Sequence, residues 1–301
     1  MKGLTLSVSV IIPNFNGEEL LKKNLPKVLD AYDYKPNNIS EVIIVDDNSR
    51  DGSVELIKER FPQVKLVKHK KNRGFSAAVN TGVRASSGRL VVLLNSDVVP
   101  EKDFLVSMEK YFEDRSVFGV SLHEKGHSWA KGLFKDGYVQ IQPGEEINKS
   151  HISFWVNGGS GVFRREYWIK LGGVDEKLLS PFYWEDIDLC YRALKRGYKI
   201  LWDFESHVTH EHESTIGKFP RKKVERIMER NQLLFIWKNL TSKALFSKHI
   251  VGVINRITKS PGYLLIVFMA LFRLKTVLKA RKKEIKEVVI SDEAIFARFR
   301  P

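Results

Sequence analysis

Cysteine occurs once in the 301-residue chain. No internal disulfide is therefore available, and the chain fits a reducing compartment. Long apolar runs are missing too. The longest, residues 263–272, has ten residues and lies between Lys259 and Arg273; a membrane-spanning helix needs about 20. The N-terminus offers one early lysine and an alternating stretch that runs into Pro13-Asn14. It has no small-residue cleavage site, so neither a signal peptide nor a bilayer crossing is expected. The usual phosphate-cradling loops are also lacking. No G-x-x-x-x-G-K-[ST] occurs, and no G-x-G-x-x-G follows the first apolar run, which removes the main support for P-loop and dinucleotide-oxidoreductase readings.

The composition is that of a folded protein, with 43% hydrophobic and 29% charged residues. The length allows one large domain or two modest ones. The formal net charge is +14, and its location matters more than its size. Residues 1–217 carry 30 basic and 30 acidic side chains. Residues 218–286 carry 18 basic and 3 acidic, a net of +15, and the last fifteen residues are net −1. A neutral catalytic or binding domain over residues 1–217 is thus followed by a basic helical region, residues 218–301, suited to an anionic surface.

Up to about residue 115, short runs of β-branched and leucine residues alternate with helical spacing. Strands are predicted at residues 8–12, 42–45, 64–67 and 90–94, with helices at 18–29, around 54–57, at 75–85 and at about 101–112. Continuous apolar strands separated by helices indicate an α/β fold with a parallel sheet covered on both faces. Ligands of such sheets sit beyond the carboxyl ends of the strands. There the chain has Pro13-Asn14-Phe15-Asn16-Gly17, Asp46-Asp47-Asn48-Ser49, Asn72-Arg73-Gly74 and Asn95-Ser96-Asp97. For any one of these loops, turn formation or helix capping is the commoner use of such residues. Four of them on one sheet edge point to a polar ligand.

A second constellation begins near residue 151. Val156-Asn157-Gly158-Gly159-Ser160-Gly161 is a glycine-rich approach, and Tyr183-Trp184-Glu185-Asp186-Ile187-Asp188 leads into a helix. The three acids fall in its first turn, where they suit the helix dipole; alternatively one is a general base. Placement at a helix start lowers a carboxylate's pKa, so base strength is expected from geometry. Cys190 reads as packing. His207, His210 and His212 cluster without a standard zinc spacing. A divalent ion shared by Asp97 and a histidine on a diphosphate is the more specific reading. Residues 123–150 read as a variable acceptor-side loop.

The motifs Val-Ile-Ile-Pro-Asn-Phe-Asn at 10–16, Val-Asp-Asp-Asn-Ser-Arg-Asp-Gly-Ser at 45–53, Asn-Arg-Gly-Phe-Ser-Ala-Ala-Val-Asn at 72–80, Leu-Leu-Asn-Ser-Asp at 93–97 and Trp-Glu-Asp-Ile-Asp-Leu at 184–189 follow in order. Together they resemble the family 2 glycosyltransferases, most of all the rhamnosyltransferase-like enzymes of bacterial surface polysaccharide assembly. The resemblance covers about residues 7–217. It implies a GT-A type nucleotide-binding sheet flanked by helices and inverting transfer from a nucleotide-sugar, a UDP- or dTDP-sugar, to a glycan or lipid-linked acceptor. By the same resemblance, Asp47 (with Asp46 as neighbouring candidate), Pro13, Asn16, Asn72, Gly74 and Asn95 would bind the nucleotide. Asn95 and Asp97 stand at the family's Asp-x-Asp motif, with asparagine in place of its first aspartate. Asp97 and His210 would hold Mg2+ or Mn2+. Asp186 matches the catalytic base, and Glu185 is its acidic neighbour.

Beyond residue 230, Phe246, Ile250, Val253, Ile254 and Ile257 repeat at helical spacing, and Ser260-Pro261-Gly262 breaks the pattern before the apolar run. Apolar segments interleaved with cations suit interfacial helices on an anionic leaflet, although packing on the first domain would account for them as well. With a lipid-linked acceptor, the expected location is cytoplasmic, peripheral on the inner face of the membrane. Two rivals remain in view. A sugar-phosphate nucleotidyltransferase would carry a glycine- and lysine-rich loop after the first strand, where this chain has Pro13-Asn14-Phe15-Asn16. A nucleic-acid binder would pair the basic region with an aromatic RNA motif or a recognition helix, and neither is present; no nucleic-acid partner is expected.

Overall fold

The computed structural model describes residues 6–211 and 220–300. His212 and the expected domain boundary at 217 lie outside the described residues. The chain opens with β1 (Val8–Asn14), α1 (Glu18–Asp33), β2 (Ile39–Asp46), α2 (Ser53–Arg60), β3 (Lys65–Lys68), α3 (Phe75–Ala85) and β4 (Leu90–Leu94). β1 pairs in parallel with β2 and β4, and β2 with β3. The continuous apolar runs explain the layering. Val10 and Ile12 face α1 through Leu21 and Leu25, while Ile11 between them faces α3 through Val79 and Val83. Both faces are covered, as a parallel sheet requires.

The four predicted strands pair in parallel as expected, and past β4 the sheet becomes mixed. After β5 (Val98–Pro100), α4 (Met108–Phe112), β6 (Val117–Glu124), β7 (Ala130–Lys135), β8 (Tyr138–Pro143) and β9 (His151–Ile152), β10 (Ser160–Arg164) inserts antiparallel between β4 and β6. Then come α5 (Arg165–Leu171), α6 (Glu185–Lys195) and β11 (Lys199–His210), giving the order β3-β2-β1-β4-β10-β6-β11-β5. The helix expected over 101–112 is confined to its last turns. Glu101 N donates to His207 O, while Asn37 donates to Lys102 O and accepts from Leu105 N, which holds the intervening residues in turns. The segment read as an acceptor-side loop contains the β7–β8 hairpin. Its two-residue turn, Asp136-Gly137, has positive φ at both positions, the conformation that Asp-Gly favours.

α7 (Arg221–Asn239) begins well before Arg230, and α8 (Lys243–Lys259) stops at Ser260 as the sequence predicts. α9 (Tyr263–Leu271), α10 (Leu274–Glu287) and α11 (Asp292–Ala297) complete the chain. α7 buries Leu233, Leu234, Phe235 and Ile236 in the same cluster as Leu189 and Tyr191 of α6. A fully buried polar hub locks the two helices together. Asp188 of α6 accepts from Arg192 Nε (2.9 Å), Lys238 Nζ (2.9 Å) and Asn239 Nδ2 (2.7 Å). Burial alone would raise its pKa; the two cations and the amide outweigh that and hold it at about 2. The stability this adds is present above the ordinary aspartate value of 3.8 and is lost as pH falls toward 2. Asp188→Asn leaves buried Arg192 without a counter-charge and Lys238 with Asp175 alone (3.1 Å), and is expected to cost about 3–5 kcal/mol at neutral pH. Urea denaturation at pH 7 measures this; a cost below about 1 kcal/mol, the worth of a surface pair, would show the hub to be dispensable.

Candidate active site

A cleft of about 460 Å³ opens where β1, β2 and β4 end. Pro13, Asn16, Asp47, Asn72, Gly74, Asn95, Asp97, Glu185 and Asp186 all line it. Asp46 does not. It is fully buried, and its carboxylate accepts from Asn14 Nδ2 and Ser49 N, so it braces the first two strand-end loops instead of meeting a ligand. Asn16 has a left-handed backbone (φ 52°), its amide donates to Ser49 Oγ and its side-chain oxygen accepts from Arg50 N. Asp47 reaches across to the third loop. Its carboxylate accepts from Arg73 N (2.9 and 3.0 Å) and Gly74 N (2.7 Å) and pairs with His69 Nδ1 (2.6 Å). The wall of the cleft around Asn72 is thereby tied to the end of β2.

At the β4 side, Asp97 Oδ1 lies 3.2 Å from His210 Nε2, and His210 Nδ1 lies 3.2 Å from Glu124 Oε2. Burial works to lower the His210 pKa; the two carboxylates outweigh it and push it up to about 9. Among the described residues no three His, Cys, Asp or Glu side chains are arranged to hold a metal. Two donors fit one once the imidazole gives up the proton that its paired carboxylates favour. A carboxylate and an imidazole 3.2 Å apart have the separation of adjacent ligands on an ion with bonds of about 2.1 Å. Glu124 on the far ring nitrogen is the outer carboxylate that commonly orients such a histidine.

The opposite wall holds the acids of α6. Asp186 Oδ2 accepts from Trp155 Nε1 (3.0 Å) and Gly158 N (3.2 Å), and Oδ1 from Ile187 N (2.7 Å). Glu185 is buried, with Oε2 lacking a hydrogen-bond partner. The helix-start expectation of lowered pKa values is overturned at both positions. Burial raises Glu185 to about 8, helped by the Asp186 charge, and burial raises Asp186 against the hydrogen bonds it accepts. The glycine-rich approach is a matter of space. A Cβ on Gly159 would lie 2.5 Å from Asn95 Nδ2, and one on Gly158 would lie 3.1 Å from the Asp186 Cβ.

Several contributors were not legible as site residues. Trp155 had no signal beyond being a tryptophan near glycines. Asn231 carried no site signal in the sequence, yet it is fully buried and its Nδ2 donates to the carbonyls of Leu179, Phe182 and Tyr183. Its Oδ1 accepts from the Arg230 guanidinium, which also donates to Ser180 O. These bonds hold Tyr183 and Trp184 in left-handed conformations (φ 69° and 76°) directly before Glu185. Such residues cost about 1–3 kcal/mol each and persist only when their surroundings impose them.

The raised Glu185 pKa fixes a sign. Stability contributed by its neutral form is complete below 4.5 and lost as pH climbs to about 8. Glu185→Gln removes that loss, so the melting temperature of the variant is expected to gain on the parent progressively from pH 5 to pH 8. A difference independent of pH would show that Glu185 is ionised in the folded protein throughout.

The sequence pattern described as "Glycosyl transferase family 2" matches residues 9–171. Among curated relatives, the probable glycosyltransferase YdaM of Bacillus subtilis (strain 168) is 27% identical over 250 residues, which cover 76% of this chain and 56% of YdaM. The glycosyltransferase AglE of Haloferax volcanii is 26% identical over 271 residues, 85% of this chain and 83% of that one. This chain therefore spans little more than half of YdaM and most of AglE. Among solved structures, the mannosyltransferase PcManGT from Pyrobaculum calidifontis, in complex with GDP-Man and Mn2+, superposes with a TM-score of 0.56 at 17% identity, covering 93% of this chain and 84% of that one. It shares the fold. With the family pattern covering more than half of its length, the chain belongs to glycosyltransferase family 2 and has the mixed α/β fold of GT-A enzymes.

Proposed function

We propose that the protein transfers a sugar from a nucleotide-sugar to an acceptor hydroxyl with inversion at the anomeric carbon. The observation that carries this reading is the placement of Asp186 across one cleft from Asp47, Asn16 and Asp97. A nucleoside end and a reacting end thus share one site. Asp47, Pro13 and Asn16 receive the base and ribose, with Asn72 and Gly74 forming the adjoining wall. Asp97 and His210 are the residues that would hold a divalent cation, which when bound would neutralise charge on the leaving diphosphate. The acceptor is a hydroxyl of a glycan or of a lipid-linked sugar, in the chemistry of cell-surface polysaccharide assembly.

In the step itself, the acceptor oxygen attacks the anomeric carbon from the face opposite the diphosphate. The bond from that carbon to the phosphate oxygen breaks, and the nucleoside diphosphate departs with the bonding electrons. Asp186 takes the acceptor proton. Its pKa, raised by burial against the hydrogen bonds it accepts, makes it a stronger base than an exposed aspartate. Trp155 and Gly158 fix one oxygen and thereby the direction of the other. No covalent enzyme intermediate is needed for a single displacement.

Two variants separate the ends of the site. Asp186→Asn is expected to lower kcat by about 10²–10⁴-fold, the span of general base catalysis, with nucleotide affinity retained. Near-normal turnover in that variant would remove Asp186 from the role. Asp97→Ala is expected to abolish the gain in nucleotide affinity on adding Mn2+ or Mg2+, read by calorimetric titration with UDP, dTDP, GDP and CMP. An unchanged metal response would place the ion elsewhere. dTDP-rhamnose belongs in the donor panel because of the branch the sequence resembles.

A further inference from the structure

The outer face of the C-terminal helices has no part in the cleft. On α9, Tyr263, Ile266 and Ala270 are buried, while Leu264, Leu265, Phe268 and Leu271 on its other sides are exposed. Phe272, at the turn into α10, is 90% exposed. A helix that is apolar all round calls for an apolar environment all round, and folded monomers seldom leave such a patch in water. On α10 the outward residues divide into two adjoining stripes. Leu274, Leu278 and Ile285 follow helical spacing on one side. Lys275, Lys279, Lys282 and Lys286 follow it on the next, all exposed.

The charge decides among occupants. Of the cations behind the net +15 of residues 218–286, Lys275, Lys279, Lys282 and Lys286 stand exposed on this face. A second copy of the same face would be repelled by them, and a nucleic acid would answer the lysines but not the phenylalanines and leucines. An anionic lipid leaflet answers both, taking the apolar stripe at the headgroup boundary while the lysine stems reach the phosphates.

A further contact relates this face to the cleft. Arg273, between α9 and α10, donates from Nη1 to Lys177 O (2.8 Å) and Leu178 O (2.6 Å). The chain that continues from Leu178 supplies Pro181, Phe182 and Tyr183 to the cleft wall.

We propose that α9 and the outer stripes of α10 dock on an anionic membrane surface, with Phe268 and Phe272 entering the boundary between headgroups and acyl chains. The mouth of the cleft beside Tyr183 is then held near the lipid surface, where it receives a lipid-linked acceptor. The acceptor part rests on the transfer reading; the docking part does not.

The test is sedimentation of the full chain with vesicles of phosphatidylcholine alone and of phosphatidylcholine mixed with phosphatidylglycerol. Binding is expected to the mixed vesicles only and to weaken with salt. Replacing Lys275, Lys279, Lys282 and Lys286 by Gln is expected to lower vesicle affinity about five-fold per lysine, from about 1 kcal/mol for each cation near the surface. Phe268→Ser with Phe272→Ser is expected to abolish binding; both side chains are exposed, so circular dichroism and nucleotide affinity should be unchanged. Equal binding to neutral vesicles, or binding indifferent to both variants, would overturn the proposal. So would a stable dimer that the serine variant converts to monomer. Calorimetry with UDP and dTDP on the same samples keeps the two readings apart. Vesicle binding without nucleotide binding removes the transfer reading alone, and nucleotide binding without vesicle binding removes the docking alone.

Discussion

The position of α6 depends on one buried carboxylate. Asp188 accepts from Arg192 on its own helix and from Lys238 and Asn239 on α7, and Arg192 passes the connection on to the carbonyls of Leu171 and Gly173. An unpaired charge in this interior would be prohibitive, so the three partners are held as a set. Asp186 sits half a turn earlier on the same rigid element. The Asp186 wall of the cleft is therefore located by contacts behind it, and α7, far along the chain, belongs to the scaffold of the cleft as much as the strand-end loops do.

The same helix separates the behaviour of three neighbouring acids. Asp188 faces cations and is held low, whereas Glu185 and Asp186 face the cleft wall, and burial there raises both. Environment, not residue type, assigns the roles, as it does wherever adjacent carboxyl groups are given different protonation states. The α-helix dipole acts on all of them and is outweighed at the two cleft positions by desolvation.

The C-terminal helices join two requirements. Their inner faces complete the core that holds α6, and Lys195 of α6 reaches Asp292 at the start of α11 (2.6 Å), closing the arrangement from the far end. Their outer faces carry lysines and uncovered apolar side chains. The packing reading of this region holds for the inner faces, and the outer faces are the ones proposed above to meet an anionic surface. Among the described residues no helix is long and apolar enough to cross a membrane.

What the sequence determined by itself is local and periodic. The β-branched runs ending in Asn14, Asp46 and Leu94 made strands, because continuous apolar residues must be buried on both sides, and the polar residues after each had to share one edge. The ordered motifs from Pro13 to Asp186 named the family. What only the tertiary structure decided depends on contacts across many residues. β10 runs antiparallel because the glycine-rich approach turns the chain back along β4, and no periodicity records direction. Asp46 and Asp47 look equivalent in sequence, yet only Asp47 lines the cleft. Asn231 became the clamp of residues 179–183 because folding placed its one amide within reach of three carbonyls some fifty residues away. Distances of that kind are set by packing, and no single segment contains them.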